Sequence, residues 1–200
     1  MVNIEKKDEP EYFTKAKKKV ALPKIKDAWA DDEINDIRFK LREDILKNEQ
    51  NGVCAYCEQS ITADKELSNI DHFRTRNLFP ELTLEYDNLF VSCNGNGRCA
   101  DYKDNYSIKS KGIYDEIINP VDDNPEDFFD FLSTGEILSN NKKAEKTIEV
   151  FNLNHTSLKE QRKGVIITLK GLKNMTLEEV LKVMPSFHLF IKKLYPKMNL

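Results

Sequence analysis

Two pairs of cysteines constrain this chain more than any other feature. Cys54 and Cys57 sit in C-A-Y-C, Cys93 and Cys99 in C-N-G-N-G-R-C, and there is no fifth. In a chain expected to stay in a reducing compartment, a two-plus-two arrangement reads as a metal site before it reads as disulfides. Zn²⁺ prefers four soft ligands in a tetrahedron, and two tight turns presenting two thiolates each supply them. Asn51-Gly52 before the first pair and Asn94-Gly95-Asn96-Gly97 inside the second tolerate the positive φ that knuckle turns require. A thioredoxin-type redox pair would explain Cys54 and Cys57 but leave the other two idle; four unrelated buried thiols is the plain alternative. The five-residue second loop is longer than the usual two to four. Structural zinc on Cys54, Cys57, Cys93 and Cys99 is the reading adopted.

At roughly 150 residues per domain, 200 residues suggest one domain, or one with a small appendage. With 40% hydrophobic and 32% charged residues and only 7 Gly and 7 Pro, collagen-like, low-complexity and globally disordered classes are excluded. Lys and Arg total 31 against 34 Asp and Glu, a net charge of −3, so contact with nucleic acid would be local or shared with another protein. No apolar run approaches the roughly 18 residues of a membrane span. The start MVNIEKKDEPEYF carries charges with no apolar stretch behind them. A cytoplasmic location without a membrane partner is the expectation.

Between the knuckles, Ser68-Asn69-Ile70 leads into Asp71-His72-Phe73, and Leu89-Phe90-Val91 follows Asp87-Asn88; both read as short strands. Pro80 makes the intervening Phe79–Thr83 a loop. Ala100-Asp101-Tyr102-Lys103 reads as the start of a short helix. Alternation along a strand sends Asp71 and His72 to opposite faces, so one can grip a metal while its neighbour activates water. A lone histidine is more often structural than catalytic. His72 differs because an acid precedes it, Arg74 and Arg76 follow, and metal knuckles bracket it; His155 and His188 lack such company and are assigned structural roles.

Asp71-His72, Asn88-Leu89 and the Cys93–Lys103 run resemble the HNH endonucleases, whose core is a ββα-metal unit. A wider order carries more. Glu49 through Glu58, Asp71 through Arg74, Tyr86 through Leu89 and Ile117-Ile118-Asn119-Pro120 are followed by Phe131, Gly135-Glu136-Ile137 and Phe151-Asn152-Leu153-Asn154. From about residue 20 to 170 this is similar to the PtuB family, the HNH endonuclease subunits of Septu and related retron-associated anti-phage systems. The resemblance implies an α+β fold, mainly helical around a small zinc-stabilised ββα-metal (HNH) core. It implies a metal-dependent nuclease that hydrolyses phosphodiester bonds of DNA or RNA. His72 would be the general base, and Asp71 a ligand of a catalytic Mg²⁺ (or Mn²⁺ or Ni²⁺) separate from the zinc. Asn88 would brace the loop after the first strand and orient His72; Lys103 would meet phosphate or transition-state charge; Arg74 and Arg76 would touch nucleic acid. The implied partners are an ATPase subunit, PtuA, and a retron reverse transcriptase with its RNA–DNA product. The third HNH position departs from the family: where His or Asn flanks the lysine, here stand Ala100, Asp101, Tyr102 and Asp104. Asp101 or Asp104 would complete the metal site, or Tyr102 would fill the slot by hydrogen bonding alone. A non-catalytic zinc-knuckle adaptor, binding nucleic acid or protein, is the alternative from another class.

The expected organisation is an N-terminal arm and helix over 1–50, a zinc-pinned core over 51–112, and a hairpin with C-terminal helices over 113–200. Ile34, Ile37, Leu41 and Ile45 recur at helical spacing behind Asp31 and Asp32. Lys15, Lys17, Lys18, Lys19, Lys24 and Lys26 form a basic arm, solvated or, on the sharper reading, binding nucleic acid or a partner. Residues 115–130 hold seven acids and no Lys or Arg, which would repel a phosphate backbone. Phe128–Phe131, Ser133-Thr134-Gly135 and Ile137-Leu138 suggest a hairpin. Helices are expected around 142–151, along Leu158, Arg162, Val165, Leu169 and Leu172, and after a Thr176/Glu179 capping box, with Pro185 interrupting or ending the last. The apolar run Phe187 to Tyr195 reads as core, or as a docking surface.

Overall fold

Asp31 opens the helical segment ahead of the cysteines: its side chain accepts the Glu33 amide and caps α2 (Asp32–Asn35). The single helix expected from Ile34 to Ile45 is two pieces. The chain breaks after Asn35 and restarts as α3 (Arg38–Asn48), yet Ile34, Leu41 and Ile45 are all fully buried. Helical spacing survives the break because the two pieces bury the same side of the segment.

In this computed structural model residues 1–20 and 25–198 are described. The expected basic arm contains a helix, α1 (Glu11–Lys19), anchored by buried Phe13 and Ala16. Three of its four lysines are paired, Lys15 with Glu11 (2.7 Å), Lys17 with Glu9 (2.8 Å) and Lys19 with Glu33 (3.0 Å), so half of the run is laced to acids. Lys24 lies outside the described residues.

β1 (Ser68–His72) and β2 (Leu89–Cys93) form an antiparallel pair with Ser68 opposite Cys93 and His72 opposite Leu89. A short 3₁₀ turn at Pro80–Leu82 lies between them. After Cys99 comes α4 (Cys99–Tyr102), which runs into a π-helical turn over Lys103–Ser107. Strand, loop, strand and helix therefore follow in the expected order.

The hairpin is β3 (Asp130–Phe131) with β4 (Ile137–Leu138), turning through Gly135 at φ +79°. Arg162 donates from Nη1 to Gly135 O and Leu153 O (both 3.0 Å) and ties hairpin to helix. Asn141 caps α5 (Lys142–Val150), and His155 caps α6 (Thr156–Gly171). The Thr176/Glu179 capping box opens α7 (Leu177–Val183), which stops before Pro185; α8 (His188–Leu194) follows. Phe187, Leu189, Phe190, Ile191 and Tyr195 are buried, so this run is core and no free docking face. Several of the acids in 115–130 are tied to lysines, Asp123 to Lys143 (2.6 Å) and Glu126 to Lys192 (2.9 Å). Side chains from all three expected segments, Phe13, Leu89 and Ile191 among them, share one hydrophobic cluster. No helix among the described residues is long and apolar enough to cross a membrane.

Candidate active site and metal centre

The two cysteine turns close on each other. Cys54, Cys57, Cys93 and Cys99 are buried, and their sulfurs lie within 4.8 Å of one another. Cys57 Sγ and Cys93 Sγ are 3.8 Å apart. Sulfurs about 2.3 Å from a central ion, at the corners of a tetrahedron, are separated by about 3.8 Å, so the donors fit Zn²⁺ in type and spacing. The turns are built as expected in part: Asn51 (φ +50°), Gly52 (φ +73°) and Gly97 (φ +68°) take positive φ, joined by Glu58 and Cys99, whereas Asn94, Gly95 and Asn96 do not.

Arg98, absent from the sequence reading, caps this cluster. Its Nη1 lies 3.6 Å from Cys57 Sγ and 3.5 Å from Cys93 Sγ, and its Nη2 donates to Gln59 Oε1 (2.9 Å). Burial alone would lower the guanidinium, but the surrounding sulfurs outweigh it and raise it, so the charge is held. Gly95 makes room: a Cβ there would stand 2.5 Å from Arg98 Nε.

Asp71 and His72, at the end of β1, go to different partners as strand alternation requires. Tyr56, the residue between the first two cysteines, donates its hydroxyl to Asp71 Oδ2. Burial and the neighbouring Asp71 carboxylate hold the phenol well above its usual range, so it stays a donor. Asp71 Oδ1 meets Lys103 Nζ at 3.1 Å. His72 donates Nε2–H to Thr83 O (2.9 Å) and takes Trp29 edge-on, with centroids 4.6 Å apart. A carbonyl only accepts, so the neutral ring keeps its lone pair on Nδ1. Burial lowers the imidazole from 6.5 to about 4, against the opposing pull of Thr83 and Asp71.

Both residues line a cleft of ≈ 440 Å³ with Trp29, Arg76, Asp101 and Asp104. Partial burial and the Asp71 charge lift Asp104, whose side chain is still 48% exposed, to about 6, although Lys103 Nζ sits 2.7 Å from its Oδ1. Hard oxygen donors suit a cation such as Mg²⁺ that keeps most of its waters. Among the described residues, however, the four cysteines are the only group in which three or more His, Cys or carboxylate ligand atoms come together, and the cleft carboxylates do not form one.

Several expected roles change in this setting. Lys103 cannot reach a phosphate: it is fully buried, and Nζ also donates to His72 O (2.8 Å) and Phe73 O (3.3 Å). Burial alone would lower its ammonium, but Asp71 and Asp104 outweigh this and raise it. Asn88 does brace the loop, accepting the Arg74 amide (2.8 Å) and donating to Arg74 O (3.0 Å) and Leu82 O (3.2 Å). It makes no bond to His72, whose ring is oriented by Thr83. Asp101 is engaged locally by Gly97 N (2.8 Å) and Asn105 Nδ2 (2.9 Å), and still faces the cleft. Arg74 lies over the rings of Phe79 (5.2 Å) and Tyr114 (5.9 Å), outside the cleft lining; Arg76 is exposed on its rim. His155 caps α6 and His188 meets Met184 O (2.6 Å).

No protein-family profile matches the chain. It is similar to Septu protein PtuB of Bacillus mycoides (strain KBAB4), 30% identical over 172 aligned positions, covering 71% of this chain and 57% of that protein. A second Septu protein PtuB, from Bacillus thuringiensis, is 28% identical over 145 positions, 70% of this chain and 51% of that protein. This is a PtuB-like protein. The PtuB-like chain spans about half the length of these curated relatives. It is also 30% identical, over 66% of its length, to a stretch making up 22% of Septu protein PtuA from the same Bacillus mycoides strain. Of the residues that shape the site in this PtuB-like chain, sequence reasoning missed Tyr56, Thr83, Trp29 and Arg98. Tyr56 left one signal, a phenol held between the two cysteines of C-A-Y-C.

Proposed function

We propose that the chain is a metal-dependent HNH-type endonuclease that hydrolyses phosphodiester bonds in nucleic acid. We assign it to anti-phage defence, working in the cytoplasm with a PtuA-type ATPase. One observation carries the chemical part: a neutral imidazole, His72, has its Nε2 fixed on Thr83 O beside the Asp71, Asp101 and Asp104 carboxylates of one cleft. The names of the relatives support the defence role and the partner.

His72 Nδ1, which carries the lone pair, takes the proton from the attacking water. Its low proton affinity keeps it unprotonated at cellular pH. Asp71, held by Tyr56 and Lys103, presents its carboxylate at a fixed angle, and with Asp101 or Asp104 it would hold the divalent cation. That cation, when bound, would supply Lewis-acid polarisation of the phosphate. Asn88 and Lys103 keep the strand end in place through backbone carbonyls. The four cysteines would hold Zn²⁺, which supplies no chemistry and fixes the two turns that carry Tyr56 and α4.

One observation favours the adaptor reading: both Asp71 oxygens already have internal partners, as in a purely structural ion pair. Incubation with plasmid DNA or tRNA, with and without Mg²⁺ and the partner, separates the two. We expect Mg²⁺-dependent cutting that falls at least about 100-fold in a zinc-loaded, folded His72→Ala variant. Equal cutting by that variant would remove the general-base role of His72, and no cutting by the wild type with its partner present would remove the nuclease reading.

A further inference from the structure

A second groove, of ≈ 760 Å³, runs along α3 and is lined by Arg38, Arg42 and Lys65 among others. It adjoins the cleft, because Arg38 lies over the ring of Trp29 at 4.9 Å and Trp29 is a cleft wall. Arg38 and Arg42 stand one helical turn apart and share a face of α3. Arg76, on the cleft rim, is near enough that its charge acts on Arg38, as does that of Arg42. Arg38 thus stands on the tryptophan, with Arg42 one turn away in the groove and Arg76 on the rim of the adjoining cleft, in a chain whose net charge is −3.

Clustered like charges are ordinarily interleaved with carboxylates. Here no ion pair among the described residues joins any of the three to an acid. Arg38 Nη2 donates to Trp29 O and Arg42 Nη1 to Ala63 O (2.8 Å). Nε of both is buried without a partner, and Arg42 is only 8% exposed. Glu43 and Asp64 also line the groove, but Asp64 Oδ1 is taken by the Glu66 amide (2.9 Å). A strand would accordingly be gripped at the arginine end and not along the whole groove. Forked guanidiniums with no direct carboxylate partner, although the Asp64 charge acts on Arg42, match the paired oxygens of a phosphodiester.

We propose that Arg38, Arg42 and Arg76 form a phosphate clamp beside the cleft, holding the backbone of a nucleic-acid strand next to the bond to be cut. The place of the bond rests on the nuclease reading; the grip itself is measurable without cleavage. It also accounts for how an acidic chain holds a polyanion, through a local patch of positive charge.

The test is fluorescence anisotropy in Mg²⁺-free buffer with a labelled 20-nucleotide DNA or RNA, single-stranded or duplex. Wild type is compared with Arg38→Gln, Arg76→Gln and the double variant, each matched for zinc content and melting curve. Arg42→Gln is avoided because its burial would cost folding. Each single variant is expected to weaken binding roughly tenfold, the scale of one charge-assisted contact, and to reduce the salt slope by about 1. Affinity within twofold of wild type in the double variant, or no oligonucleotide binding by wild type, overturns the clamp. Polyglutamate that binds as tightly and is lost in the same variants overturns the choice of phosphate. If the variants lose binding but the wild type never cuts, the clamp stands and the nuclease reading alone fails.

Discussion

A lysine with no exposed surface is costly to bury, and Lys103 is kept by the oxygens around it: two carboxylates and two strand carbonyls. Removing the ammonium leaves Asp71 charged in the interior. We expect Lys103→Met to lose about 3–5 kcal/mol, read from urea midpoints, and to lose activity only through misplacement of β1. Its burial was illegible in the sequence, where a lysine following Cys99 looks like any surface cation. The placement of Asp71 and His72 at a strand end was legible from strand alternation, but not the Thr83 contact, since a backbone carbonyl leaves no trace in residue identity. His72 also sets a pH dependence. The unfolded chain protonates it near 6.5 and the folded chain near 4, so stability is full above 6.5 and falls as pH drops between them, by about 3 kcal/mol at most. Asp104 runs the other way: its folded value of about 6 lies above the unfolded 3.8, so the fold gains as pH falls through that range. Asp104→Asn should thus steepen the acid loss, seen as a larger drop in urea midpoint from pH 7 to pH 5 in Mg²⁺-free buffer. An unchanged drop would show that the two groups do not oppose each other.

At the scale of elements, local rules were read correctly where a few adjacent residues decide the outcome. Thr176 with Glu179 opens α7, Gly135 turns the hairpin, and Pro185 separates α7 from α8. The break between α2 and α3 escaped because Ile34, Leu41 and Ile45 keep their spacing across it. The second cysteine turn is where packing adds a demand that spacing does not reveal. Gly95 is glycine because Arg98 lies against it, not because its φ is unusual. Gly95→Ala should push Arg98 off the sulfurs and weaken zinc retention several-fold in a chelator competition, while Gly112→Ala, with open space around it, should not. Equal retention in the two variants would mean that Arg98 contributes nothing to holding the ion.

For the whole molecule, one core joins the knuckles to the N- and C-terminal helices, so metal and fold should be lost together. Chelation, or Cys54→Ser, is expected to lower the melting temperature in a single transition seen alike by far-UV circular dichroism and by the fluorescence of Trp29, the chain's one tryptophan. Two separated transitions would show that the knuckle unit melts apart from the helices. That the flanking helices pack on the core was expected from their apolar stripes, but which side chains meet in the shared interior was not legible, because long-range packing leaves no periodic mark.

Tyr56 hangs between two sulfurs and aims a carboxylate fifteen positions down the chain. A polypeptide made while zinc is scarce would consequently lack its aim as well as its clasp. For a protein whose proposed work is cutting genetic material, immaturity and harmlessness would then coincide: until the clasp shuts, the blade has no edge.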